Sequence, residues 1–175
     1  MIRIACALCL LSLSACGRLP ESYPPPEQRL PVEGVNLGTD AMMVSMGTAD
    51  ADPFIVKDIY GFSGIAWRWT RQEPTVRVAV LSTDHIQFIA DFALWRDAFQ
   101  ITGPVTISFL VNGKLLDKIR YTTPGDKHFA KAVPADWLAG SNEATVGLSI
   151  DKLYTAPKDG AKFGVILVRL GLKSA

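Results

Sequence analysis

Cysteine and histidine are scarce in this 175-residue chain, which has three of the first and two of the second. Cys6 and Cys9 lie at the extreme N-terminus, and once the export signal described below is removed only Cys16 remains, so no internal disulfide is expected. An excess of charge of one sign is also missing: Lys and Arg total 18 against 17 Asp and Glu. Loss of Arg3 makes the two equal. Such a balance gives no general attraction to phosphate backbones, and nucleic acid is excluded as an expected partner. No apolar run reaches the roughly 20 residues of a spanning helix. Enzyme signatures are absent as well: there is no P-loop, no Gly-x-Gly-x-x-Gly and no His-Glu-x-x-His, and Gly61-Phe62-Ser63-Gly64 is one residue short of a nucleophile elbow. No cofactor, metal ion or catalytic group is expected. With 49% hydrophobic and 20% charged residues, the composition is that of a globular domain able to build a core.

What is present begins at the N-terminus. Arg3 precedes an apolar stretch from Ile4 to Leu13, which has the layout of a secretory signal. The stretch ends in Leu13-Ser14-Ala15-Cys16, which resembles the lipobox of bacterial lipoproteins. That resemblance implies a signal peptide over residues 1–15, cleavage before Cys16, and acylation of its thiol and new amine with chains such as palmitate. At about 0.8 kcal/mol per buried methylene, two or three chains would hold the protein on a membrane almost irreversibly. Gly17 replaces the aspartate that commonly marks inner-membrane retention, so a two-membrane host would carry the protein on its outer membrane, facing the periplasm or the surface. Residues 16–38 carry Pro20, Pro24, Pro25, Pro26 and Pro31 among polar residues and read as a tether. At about 3.1 Å per residue, roughly 20 residues of polyproline II would reach about 60 Å.

Residues 39–175 read as an all-β domain. Nine short segments rich in β-branched and aromatic residues are separated by turn signals: Phe54 to Ile59, Ile65 to Arg71, Thr75 to Leu81, Ile86 to Leu94, Val105 to Val111, Lys114 to Thr122, His128 to Val133, Ala144 to Ile150 and Val165 to Leu172. Asn112-Gly113 predicts a type I′ hairpin. Pro124-Gly125-Asp126 and Pro157-Lys158-Asp159-Gly160 predict further loops, and Ala135 to Ala139 a single helical turn. The expected fold is a jelly-roll-like antiparallel β-sandwich of about eight or nine strands.

The run Gly61-Phe62-Ser63-Gly64-Ile65-Ala66-Trp67-Arg68-Trp69-Thr70, followed in order by Val76 to Val80, Phe109 to Gly113, Val133 to Leu138 and Lys158 to Val165, resembles galactose-binding-like jelly-roll modules. Modules of that kind stand beside bacterial glycosyltransferases and carbohydrate-active enzymes. The resemblance covers residues 50 to 173 and implies a glycan-related, non-catalytic role, with no ligand residue carried over.

Trp67 and Trp69 are two apart, so on a strand both rings share one face while Arg68 and Thr70 take the other. Core packing of the two rings, extended by Ile65, is the expectation, and stacking on sugar is the alternative. Tyr60, Arg68, Trp95, Arg96 and Trp137 stand near strand ends, where loops form a rim, and are the candidate ligand-binding residues. Asp84-His85 and His128 read as solvated positions rather than an acid-base site. Asp40, Asp50, Asp52 and Asp58 read as an acidic loop in preference to a Ca²⁺ site, because the EF-hand spacing is missing. The leading reading is therefore a lipid-anchored cell-envelope protein whose sandwich binds glycan or another envelope protein. Two others stay open: a glycan hydrolase or esterase using Asp84, Asp91 or Asp97, and a structural subunit of an envelope complex. Intact-mass measurement on membrane-purified protein should find a chain that starts at Cys16 and carries added acyl mass. Cys16→Ser should leave it unprocessed or soluble, and a mature chain without acyl mass would overturn the lipid anchor.

Overall fold

The computed structural model describes residues 39–175, so the export signal, Cys16 and the Pro-rich tether lie outside the described residues. The fold is an antiparallel β-sandwich. In chain order its strands are β1 (Met43–Ser45), β2 (Ile55–Ile59), β3 (Arg68–Ala79), β4 (Ile86–Leu94), β5 (Val105–Val111), β6 (Lys114–Tyr121), β7 (Gly125–Ala132), β8 (Glu143–Ile150), β9 (Tyr154–Thr155), β10 (Lys162–Phe163) and β11 (Ile166–Ser174). Strands β9 and β10 pair as a small hairpin. The other nine run in the order β6-β5-β8-β3-β11-β4-β7, with β1 added to β11 and β2 to β3. Long-range partners β4 with β11 and β5 with β8 lie in opposite layers, giving the jelly-roll-like order expected from the strand series.

The two layers share β3. Its first residues, Arg68 and Trp69, pair with Leu167 and Ile166 of β11, and its second half, Thr75 to Ala79, pairs with β8. The sequence pattern suggested two separate strands here; the structure joins them into one that turns the corner of the sandwich. Arg71, Gln72 and Glu73 are exposed at the bend. Pro74 sits beside them, where neither β8 nor β11 pairs with it and its missing N–H breaks no ladder.

The core lies between the layers. Strand β5 alternates strictly, burying Val105, Ile107, Phe109 and Val111, and β4 contributes Phe88, Ala90, Phe92 and Leu94. Phe109 stacks on Phe129 of β7 across the layers with ring centres 3.6 Å apart, and Phe88 meets both rings edge-on. At the predicted hairpin Asn112 and Gly113 both have positive φ, 49° and 75°, and Val111 pairs with Lys114 across the two-residue loop.

Several elements had no counterpart among the expected segments, namely the short strands β1, β9 and β10 and one helix. Helix α1 (Arg96–Thr102) links β4 to β5 and buries Ala98. It ends at Gly103 (φ 68°), whose N–H donates to the Phe99 carbonyl, and Pro104 follows, which is a regular helix-stop signal. Two turns give too few apolar positions for a 3.6-residue period to emerge. In addition, β7 starts three residues earlier than the pattern suggested, because Gly125 (φ 92°) enters the ladder opposite Leu94.

At the corner the structure reverses an expectation. Arg68 is only 2% exposed and Thr70 0%, whereas Trp67 and Trp69 are half-buried on the outside. The Arg68 guanidinium is satisfied by three acceptors: Nε donates to the Met46 carbonyl at 3.1 Å, Nη2 to the Thr48 carbonyl at 2.7 Å, and Nη1 to the Asp52 carboxylate. Thr70 Oγ1 donates to the Val165 carbonyl at 3.1 Å and accepts the Val165 N–H at 2.9 Å. Polar groups with all partners supplied can be buried, and the two-residue period of a strand then turns their neighbours outward. Arg68 is therefore a structural residue and not part of a ligand rim, and the Trp pair is not core. Arg68→Met should lower unfolding free energy by about 2–4 kcal/mol in urea melts, since two backbone carbonyls lose their donor. Arg68→Lys should recover only part of that loss, because an ammonium cannot reproduce the fork that spans three acceptors. Unchanged stability in both would contradict this role.

Candidate functional site: an aromatic platform

With its side chain turned outward, Trp69 becomes the centre of a surface cluster. Its ring meets Trp67 at 5.7 Å, Trp95 at 5.7 Å and Phe163 at 5.1 Å between ring centres. Phe163 in turn meets Tyr60 at 5.3 Å, and Trp95 meets Tyr154 at 5.7 Å. Most of these pairs are edge-on or tilted, the arrangements that aromatic quadrupoles favour. Five of the six rings are half-buried and Trp95 is 38% exposed, so the cluster presents a continuous apolar surface to solvent.

The rings come from four places in the chain. Tyr60 follows β2, Trp67 and Trp69 bracket the start of β3, Trp95 follows β4, and Tyr154 and Phe163 belong to the β9–β10 hairpin. Gly164 brings that hairpin against β3: an added Cβ would run into the Arg71 carbonyl and lie 2.8 Å from Thr70 Oγ1 and 2.6 Å from Ile150 Cδ1. The Tyr60 hydroxyl donates to the Lys162 carbonyl at 3.0 Å, and the Arg71 guanidinium stands 4.9 Å from the Tyr60 ring centre. The platform is thus held by backbone contacts and hydrogen bonds, not by ring packing alone.

Of the candidate residues read from the sequence, Tyr60 and Trp95 are in this cluster, and Arg96 is beside Trp95 at the start of α1. Trp137 lies elsewhere, under Lys114 at 5.4 Å next to the β5–β6 hairpin, with its carbonyl accepting from Asn112 Nδ2. Arg68 is buried behind the platform. Sequence reasoning missed Tyr154 and Phe163, whose only signal was a pair of aromatics flanking the Pro157–Gly160 turn.

The outer face continues from the platform along β11, β4 and β7. The registers place Trp69, Ile166 and Ala93 in one row, then Arg169, Asp91 and His128 in the next. Asp91 accepts from Arg169 Nε and lies 2.5 Å from His128 Nδ1. Burial alone would raise the Asp91 carboxyl; the bonds from His128 and Arg169 outweigh it, so its pKa falls below the usual carboxylate value. The other acids serve separate purposes. Asp52 pairs with Arg68, Asp58 accepts the Glu73 N–H at 2.9 Å, and the N–H of Asp84 turns back to Ser82 Oγ. Among the described residues no group of three or more His, Cys, Asp and Glu is placed to hold a metal ion.

No protein-family profile matches the chain, and no curated protein does. Similar solved structures include a family GH115 4-O-methyl-alpha-glucuronidase, at 12% identity and a TM-score of 0.41 over 66% of this chain. The chain spans 15% of that enzyme's length. A family 35 carbohydrate binding module from Clostridium thermocellum is similar at 11% identity and a TM-score of 0.38, over 69% of this chain and 87% of that one. The CBM51 from Clostridium perfringens GH95 in complex with methyl-galactose is similar at 9% identity and a TM-score of 0.35, over 73% and 86%. These likenesses are too loose to transfer a ligand or a residue.

Because the folded pKa of Asp91 is depressed, its contribution to stability is complete above the unfolded value of about 3.9 and is lost as pH falls through the folded value. Asp91→Asn should therefore lower the melting temperature at pH 7 by a few degrees, with the gap to the native chain closing below about pH 4. A gap that stays constant down to pH 3 would remove the ion pairs as its cause.

Proposed function

We propose that this protein is a non-catalytic glycan-binding module displayed on a membrane by acyl chains at Cys16. The observation that carries the reading is the exposed platform of Tyr60, Trp67, Trp69, Trp95, Tyr154 and Phe163. Half-exposed rings cost free energy in water, and a fold that keeps six together on one surface offers a place to bury them. Sugar rings present flat faces of polarised C–H groups that match the electron-rich faces of Trp and Tyr, and they bury apolar area without needing a deep pocket. The rings are braced by the sandwich, so little ordering cost remains at binding.

The hydrolase reading finds less support. A glycosidase needs two carboxyl groups about 5 to 9.5 Å apart across a sugar, one of them kept protonated near neutral pH. Asp91 is shifted the opposite way and is engaged by His128 and Arg169. Asp97 is in the first turn of α1, and Asp84 is exposed at the turn before β4.

Trp69→Ala and Trp95→Ala test the proposal on immobilised neutral glycans. Each should abolish most retention, by a factor of about ten or more, as expected for a central aromatic anchor. Each should cost less stability than the about 3–5 kcal/mol of a fully buried Trp, since part of each ring is already in water, 38% of Trp95. Retention unchanged in both variants, or no retention of the native chain on any glycan, would overturn the reading.

A further inference from the structure

Beyond the Arg169–Asp91–His128 row the outer face dips. The next row along the registers is Met43, Gly171, Ile89 and Ala130, and the one after is Lys173, Gln87 and Ala132. Gly171 has no side chain to fill this space. A Cβ there would lie 2.7 Å from Met43 Cα, so its absence lets β1 press close and Met43 form one wall. The result is a trough of about 310 Å³ with Ile89 and Ala130 in its floor. Rows two residues apart on a strand are about 6.8 Å apart, so the two polar rows stand about 14 Å from each other, one on either side of the floor, and their long side chains can reach a sugar ring lying between them.

The polar rails are basic. Arg169, His128 and Lys173 line the trough together with the Gln87 amide, and Ser174 and Ala175 close one end of it. Arg169 uses Nε for Asp91 and His128 uses Nδ1, which leaves the Arg169 terminal nitrogens and His128 Nε2 without a protein partner among the described residues. Lys173 has no ion-pair partner among them, whereas nearby Lys131 is held by Asp117 at 2.8 Å. Asp91, the carboxylate of the Arg169 row, is already paired with Arg169 and bonded to His128. A planar guanidinium and an ammonium facing one apolar-floored trough suit a carboxylate carried on a ring.

We infer that the trough receives an acidic saccharide, a uronate residue whose carboxylate lies between Arg169 and Lys173, in the same glycan chain whose neighbouring unit stacks on the aromatic platform. This inference rests on the glycan reading for the saccharide and on the trough for the charge. The platform row and the Arg169 row are adjacent in register, so one chain can reach both without bending.

Polygalacturonate and its fully methyl-esterified form separate charge from stacking, because they share a backbone and differ in the carboxylate. Retention of the whole chain, in detergent, on the acid should exceed retention on the ester by about tenfold and fall with added salt. Lys173→Gln should erase most of that difference and leave the melting temperature unchanged; Arg169→Gln should erase it as well while lowering the melting temperature by a few degrees, because its ion pair with Asp91 is lost. Equal retention on acid and ester, or a preference for acid that survives both substitutions, would overturn the acidic-saccharide inference while leaving the platform reading intact. Retention on neutral glycans without retention on the acid would do the same. A chain retained on neither, and on no neutral glycan, would overturn both.

Discussion

A buried guanidinium at the corner of β3 decides which half of that strand faces water. An unpaired charge in a protein interior carries a desolvation penalty of several kcal/mol, so Arg68 can point inward only because Met46, Thr48 and Asp52 together supply acceptors for its donors. Those three residues lie in the segment around β1, and the same bonds hold that segment against the sandwich. Thr70, two residues on, is satisfied as completely by the backbone of Val165. With positions 68 and 70 turned in, the pleat leaves positions 67 and 69 no other side. The exposed tryptophans follow from the buried arginine.

That dependence explains what could be read from the sequence and what could not. Strands Ile86–Leu94 and Val105–Val111 have the bounds the pattern gave them, since their inward positions are continuously apolar and the second is closed by Asn112-Gly113. The stretch Trp67-Arg68-Trp69-Thr70 has a clear period of two, but period alone does not say which set faces inward. Hydrophobicity favours the rings, and only partners 16 to 22 residues away in the chain reverse the choice. Tyr60 and Trp95 were legible because they close strands where loops begin. Tyr154 and Phe163 were not, because their strands are two residues long and their pairing depends on Gly164 meeting a distant backbone.

The outer face of β11, β4 and β7 combines two chemistries. One end is aromatic and braced by hydrogen bonds to backbone; the other is cationic with an apolar floor. The charged row stands on strands of the sandwich and the rings on strands or directly at strand ends, so their spacing is set largely by register. If the surface binds glycan as proposed, its selectivity comes from the match between two fixed distances.

That match depends on one irregularity in β11. Leu167 pairs with Phe92 and Arg169 with Asp91, so Val168 is an extra residue bulged out of the ladder and exposed. Along a regular strand Ile166 and Arg169 would fall on opposite faces, being an odd number of residues apart. The bulge resets the phase, so Ile166 in the tryptophan row and Arg169 in the charged row both look outward while Leu167, Leu170 and Leu172 still look inward. Seen along the chain, β11 is two half-strands of opposite parity spliced at Val168. A sequence one residue shorter here could keep its apolar core or its charged row in place, but not both, which makes the length of this segment, more than its composition, the feature that welds the two halves of the surface together.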